Sequence, residues 1–167
     1  RLAAPIEAAT TALVPTRRII ARSVAHPPPR GRRAPPAAGM IGRMPANRIV
    51  PLVTREGLGG PYWLLTFRHP EIAREARAGQ FVMIKAGTSA EPPLRRPFSI
   101  MLTDPGAETF SLFLKDVGPG SGALCALEPG DEAQCLGPLG QAFTAPPEGT
   151  EALLVAGGYG VAPFRLL

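Results

Sequence analysis

Leu94-Arg95-Arg96-Pro97-Phe98-Ser99-Ile100 sets two arginines, a proline, an aromatic ring and a small hydroxyl side by side in an otherwise apolar run. Arginine carries a rigid fork of N–H groups that fits phosphate oxygens bidentately. A ring next to a hydroxyl gives a flat apolar face with a hydrogen-bonding edge. Phosphate clamp, flat face and donor are what a flavin dinucleotide requires. For Arg96, between Leu94 and Pro97-Phe98, two readings stand: a phosphate ligand, or a surface arginine whose stem lies over apolar neighbours. Arg95 fits the second. In a regular strand Phe98 and Ser99 face opposite sides, so one would meet a ligand with its side chain and the other with its backbone. Core packing competes for Phe98, and a neighbouring carbonyl competes as the partner of Ser99.

Two glycine-rich segments follow. Gly118-Pro119-Gly120-Ser121 precedes a short helical pattern, where free N–H groups and a missing Cβ admit an anion. Simple capping by Gly120 or Ser121 explains the same residues. Gly157-Gly158-Tyr159-Gly160-Val161-Ala162-Pro163 follows an apolar run and precedes a possible helix, the setting of a dinucleotide-binding turn. It is not a full G-x-G-x-x-G, because Phe164 holds the last place, and a tight turn without a ligand is the alternative. Lys115 ends the strand before the first glycine segment, facing either solvent or a phosphate. His26 and His69 lack a carboxylate or nucleophile in triad-like context and read as solvated. Asp131 reads as a turn cap.

These residues need a scaffold, and the pattern supplies short strands. Strands are expected at Asn47–Thr54, Tyr62–Phe67, Gln80–Ala86, Arg96–Thr103, Thr109–Val117 and Asp131–Leu136. Turns fall at Glu56–Pro61 and Asp104-Pro105-Gly106, with a loop at Gly87–Pro93. Pro70–Arg77 is one helical turn or a loop, and Gly120–Leu127 a short helix. Strands at this spacing predict an all-β, six-stranded antiparallel Greek-key barrel. Ala152–Ala156 is a continuous apolar run, the mark of a strand buried on both faces, and predicts the start of an α/β nucleotide-binding domain. The expected organisation is a basic, disordered Pro/Arg-rich segment over 1–44, a barrel domain over 45–147, and the first strand and glycine turn of the second domain over 148–167, where the chain reads as cut.

Residues 1–44 hold eight arginines against one acid, whereas the remainder holds ten basic and twelve acidic residues. The high isoelectric point therefore belongs to the N-terminal segment, which reads as sequence upstream of a start at Met40 or Met44, or as an organellar leader. A slightly acidic body argues against nucleic acid. No apolar run approaches the length of a membrane span. Cys125 and Cys135 have no metal-ligand spacing, and a reduced, cytoplasmic setting is expected.

In order, Gly79-Gln80-Phe81-Val82, Arg96-Pro97-Phe98-Ser99, Gly118–Ser121, Leu127-Glu128-Pro129-Gly130-Asp131, Gly137-Pro138-Leu139-Gly140 and Gly157–Pro163 resemble the ferredoxin–NADP reductase superfamily. Within it they resemble the electron-transfer subunit of bacterial NAD-linked dihydroorotate dehydrogenase, over roughly Ala46–Phe164. The resemblance implies an FAD barrel followed by an NAD domain. Arg96 would hold the FAD pyrophosphate. Pro97, Phe98 and Ser99 would line the isoalloxazine, and Phe113, Leu114 and Lys115 would meet the adenosine or ribityl side. Gly120 and Ser121 would donate to the pyrophosphate, while Gly157, Gly158 and Gly160 would begin the NAD site. It further implies an FMN-containing catalytic partner in a heterotetramer, and a 2Fe-2S cluster whose ligands lie beyond this chain. Ser121 stands where threonine is common, and Tyr159 replaces a small aliphatic in the glycine turn, narrowing the nicotinamide site. An FAD subunit of a hydrogenase or of a ferredoxin-dependent NAD(P) reductase is the alternative within the superfamily. A non-enzymatic RNA- or protein-binding barrel is the alternative outside it.

Overall fold

Alternation of apolar and polar residues at period two is what lets a strand face a core on one side only. Six segments of this chain, several of them alternating only loosely, form strands. In the computed structural model, which describes residues 47–87, 94–144, 147 and 153–167, they become β1 (Asn47–Gly57), β2 (Tyr62–Arg68), β3 (Phe81–Ala86), β4 (Arg96–Asp104), β5 (Thr109–Lys115) and β6 (Glu132–Leu139). They close into an antiparallel barrel in the order β1-β2-β5-β4-β3-β6. The chain divides into two units, Arg1–Arg33 with Pro146–Leu154, and Ala34–Ala145 with Val155–Leu167. Every regular element described belongs to the second. The basic segment 1–44 and most of the Gly87–Pro93 loop lie outside the described residues.

The interior is filled by alternate residues: Val50 and Leu52 from β1, Leu65 and Phe67 from β2, Val82 and Ile84 from β3, Phe110, Leu112 and Leu114 from β5, and Ala133 and Cys135 from β6. Phe67 and Phe110, paired across β2 and β5, stack with centroids 5.8 Å apart. Two short helices add to this core. Helix α1 (Pro70–Glu75) contributes Ile72, and α2 (Pro119–Cys125) contributes Leu124 and Cys125. Of the residues expected as one helical turn or a loop, Pro70–Glu75 form the helix, and His69 is its N-cap, with Nδ1 accepting the Ile72 N–H at 3.4 Å. The expected solvated histidine is therefore a structural one.

The turn expected at Asp104–Gly106 is present: Asp104 Oδ1 accepts from the N–H groups of Gly106 and Ala107 at 2.9 and 3.0 Å. Strand β4 bulges against β5 between Ile100 and Leu102. Ile100 stays in the main core, while Met101 joins a smaller cluster with Leu64 and Ala162. Ala162 belongs to a 3-10 helix, Gly158–Phe164. The strand expected over Ala152–Ala156 does not form among the described residues: 153–157 have no regular structure, and Leu153, Leu154 and Val155 are exposed. An apolar run becomes a doubly buried strand only when neighbouring strands flank it, and no described strand pairs with this one. No helix among the described residues is long and apolar enough to cross a membrane.

Candidate functional site

The start of β4, the end of β5 and the start of α2 enclose one cavity of about 500 Å³, within the usual range for small-molecule sites. Its wall contains Arg96, Pro97, Phe98 and Ser99 from β4 and Phe113, Leu114 and Lys115 from β5. Gly120 and Ser121 from α2 complete the set that the sequence nominated, so nine of its residues meet in one place. They are distant along the chain and are joined by the barrel order, in which β5 neighbours β4.

Arg96 is exposed on the cavity wall, and its side chain forms no ion pair or hydrogen bond among the described residues. Arg95, read from the sequence as a surface arginine, is half-buried, and its guanidinium donates to Asn47 Oδ1 at 2.7 Å and Gln134 Oε1 at 3.0 Å. Gly120 lies against Arg96: a Cβ there would stand 3.0 Å from the Arg96 Nε and 3.3 Å from its Cγ. A free guanidinium beside a backbone lacking a side chain is the cradle an anionic group fits.

Phe98 is half-buried: it packs on the main core and also lines the cavity. Leu114 is only 1% exposed and contributes wall rather than rim. The Ser121 hydroxyl is committed locally. It donates to Gly118 O at 3.1 Å and accepts the N–H groups of Val117 and Gly118 at 2.9 and 3.1 Å. The residue thereby fixes the loop before α2, and the first-turn N–H groups of Gly120 and Ser121 have no acceptor one turn back in the helix.

Lys115 stands directly across from Tyr62 in the β2–β5 ladder, with its Nζ 5.7 Å from that ring's centroid. No carboxylate among the described residues pairs with it. Val117, Gly118, Pro119, Tyr159 and Ala162 also line the cavity. Gly118 and Pro119 belong to the glycine segment that the sequence marks as an anion site, whereas nothing in the sequence points to Val117 or Ala162. Tyr159, noted only as a departure, arrives from the 3-10 helix because Ala162 is buried and Pro163 O accepts the Gly79 N–H at 3.0 Å. The three glycines of that segment, Gly157, Gly158 and Gly160, do not line the cavity and are exposed.

Both thiols are free and buried. Burial pushes Cys135 up to about 12, and burial followed by the nearby Asp116 carboxylate pushes Cys125 up to about 11, far from the thiolate form a nucleophile or ligand needs. No cluster of three His, Cys, Asp or Glu residues among the described ones could hold a metal ion.

No family model matches the chain. Curated relatives do. Over 127 residues it is 37% identical to the electron transfer subunit of dihydroorotate dehydrogenase B (NAD(+)) of Geobacillus thermodenitrificans, covering 75% of this chain and 48% of the relative. It is 39% identical over 105 residues to the same subunit of Desulforamulus reducens, covering 63% and 40%. The chain therefore spans less than half the length of these relatives. Among solved structures, the ferredoxin reductase in carbazole 1,9a-dioxygenase aligns with a TM-score of 0.60 at 21% identity, over 72% of this chain and 38% of that one. The ferredoxin–NADP+ reductase of Plasmodium falciparum aligns with a TM-score of 0.58 at 20% identity, over 71% and 49%. These two likenesses establish the barrel fold.

Proposed function

We propose that this chain is a member of the ferredoxin–NADP reductase superfamily and that its barrel binds FAD in the cavity between β4, β5 and α2. The observation that carries the proposal is the unpaired Arg96 guanidinium against the bare backbone of Gly120. The fit is chemical as well as spatial. Arg96 and the N–H groups of Gly120 and Ser121 would hold the pyrophosphate, at a site where no carboxylate among the described residues pairs with Arg96. Pro97, Phe98 and Ser99 would line the isoalloxazine, with Phe98 held rigid by its second role in the core. Phe113, Leu114 and Lys115 would meet the adenosine or ribityl side. When bound, FAD supplies the redox chemistry; these side chains bind it, orient it and keep water from its ring.

For the whole protein, we propose the electron-transfer role of a dihydroorotate dehydrogenase: electrons from dihydroorotate, taken at an FMN-containing partner subunit in a heterotetramer, pass through a 2Fe-2S cluster and FAD to NAD in pyrimidine biosynthesis. The cluster ligands would lie outside this chain, since Cys125 and Cys135 sit buried in separate elements. Gly157, Gly158 and Gly160 would open the NAD site of an α/β domain beginning near residue 148, with Tyr159 at the boundary between the two ligands. The protein would act in the cytoplasm. A second reading, the FAD subunit of a hydrogenase or of a ferredoxin-dependent NAD(P) reductase, draws on a 25% identical structure. That structure is an NADH-dependent reduced ferredoxin–NADP oxidoreductase with a TM-score of 0.53.

Two measurements test this. The purified protein, incubated with FAD and freed of excess, should show a bound-flavin visible spectrum; a colourless protein sinks the FAD assignment. The whole protein, mixed with the dihydroorotate-oxidising subunit, should couple dihydroorotate oxidation to NAD reduction. Coupling to reduced ferredoxin instead would favour the second reading.

A further inference from the structure

Tyr62 does not line the cavity, yet two of its contacts, Phe113 and Lys115, do. Its ring lies 5.8 Å from that of Phe113, tilted by 35°, and Phe113 is cavity wall. On the neighbouring strand position its ring faces the Lys115 ammonium at 5.7 Å, and Lys115 is the second cation on the cavity after Arg96. Its hydroxyl approaches the Gly158 backbone, since a Cβ built on Gly158 would sit 3.7 Å from it. A lysine stem has four rotatable bonds and holds its charge in place only when something restrains it. No carboxylate does so here, whereas an aromatic face within about 6 Å attracts an ammonium without neutralising it.

We propose that Tyr62 is a positioning residue: wedged between Phe113 and Lys115, its ring holds the Lys115 ammonium at the cavity edge, free to meet an anionic group of the bound dinucleotide. A carboxylate in this place would restrain the lysine equally well and cancel its charge toward the ligand. The aromatic face restrains it and leaves the charge available. The inference rests on the assignment of FAD to the cavity.

The test is a double-mutant cycle read by flavin binding. FAD and the uncharged riboflavin are titrated into the full protein and its Y62L, Y62F, K115M and Y62L/K115M variants. Y62L should weaken FAD roughly two- to fivefold, the size of one partly exposed cation–π contact, and leave riboflavin unchanged. Y62F keeps the ring and should restore most of the FAD affinity. Y62L should add nothing once Lys115 is methionine. Equal losses for FAD and riboflavin would mean that Tyr62 only supports the wall, and would overturn the proposal. So would a Y62L effect that persists in the K115M background, or a Y62F variant as weak as Y62L. An unmodified protein that binds neither flavin would overturn the FAD assignment itself, and is distinct from all of these.

Discussion

The wall made by β4, β5 and α2 and the segment from Leu153 to Phe164 are built from similar material, small and apolar residues with glycines between them. They reach opposite outcomes. In the wall, each apolar residue has a neighbouring strand to lean on: Ile100 faces Leu112, and Phe110, Leu112 and Leu114 fill the barrel at 0–1% exposure. In the segment, Val155 is 79% exposed and Tyr159 is 56% exposed, and only Ala162 is buried. Apolar character becomes structure where strand partners exist, and the closed barrel supplies all of its own. The ligand-type residues follow the same division. Those on the wall converge on a cavity, while Gly157, Gly158 and Gly160 face solvent.

The sharpest way to break that contrast is to remove one residue from each side. Phe110→Ala deletes a fully buried ring stacked on Phe67 and should lower unfolding free energy by about 3–5 kcal/mol. Val155→Ser should stay within about 0.5 kcal/mol, as surface changes do. Urea unfolding of both variants measures the difference. Equal losses would show that the segment carries stability that its exposure does not reveal.

The same division governs what could be read before any coordinates. The barrel is legible because β5 and much of β6 alternate apolar and polar residues, β2 is rich in aromatic and apolar ones, and turn residues separate the strands. Thr109–Lys115 and Tyr62–Arg68 lie within a residue or two of their expected bounds. Strand β1 runs on to Gly57 because β2 pairs with it as far as Trp63, a tertiary fact hidden behind the polar residues Arg55 and Glu56. The run at 152–156 looked like a buried strand, because local composition does not say whether partners are present. The cavity residues of β4 were legible by type. Tyr62 was not, since its place beside Lys115 depends on cross-strand register, which no local pattern encodes.

Within the wall, the anion cradle can be dissected next. Arg96→Met removes the charge-assisted donors and should weaken FAD by about 1.5–3 kcal/mol, one to two powers of ten. Riboflavin, without phosphate, should change little. A riboflavin loss of equal size would move Arg96 from clamp to structural support. Gly120→Ala is subtler, because its two effects oppose one another. A Cβ there stands 3.0 Å from the Arg96 Nε, so the guanidinium must shift and FAD should bind more weakly, by less than in Arg96→Met. Alanine in a helix is meanwhile favoured over glycine by roughly 0.5–1 kcal/mol, so the apoprotein should unfold at equal or higher urea. A variant that is more stable and binds less well would separate the scaffold from the site within one turn of helix.

The smallest effect is a pH dependence confined to the barrel side. His69 is held below its ordinary value of 6.5, first by burial and then by the Arg48 guanidinium, with Glu71 and Glu75 opposing. The unfolded chain therefore takes up the proton more readily than the folded one. Stability owed to neutral His69 is complete above pH 6.5 and is lost as pH falls through that value toward the lowered folded one. Geometry acts in the same direction. Protonation removes the Nδ1 lone pair that accepts the Ile72 N–H, and it places a positive charge at the positive end of α1. The 3-10 helix at Gly158–Phe164 has Gly157 as its N-cap and no side-chain cap, so no such dependence should arise there. His69→Asn keeps an oxygen acceptor at the N-cap and removes the titration. Amide exchange at Ile72 and Ala73 should quicken between pH 7.5 and 5.5, after correction for intrinsic rates, and the acceleration should vanish in His69→Asn. Residues 158–164 should show no change in either protein; an equal response there would show that the two regions open as one unit and would dissolve the contrast between them.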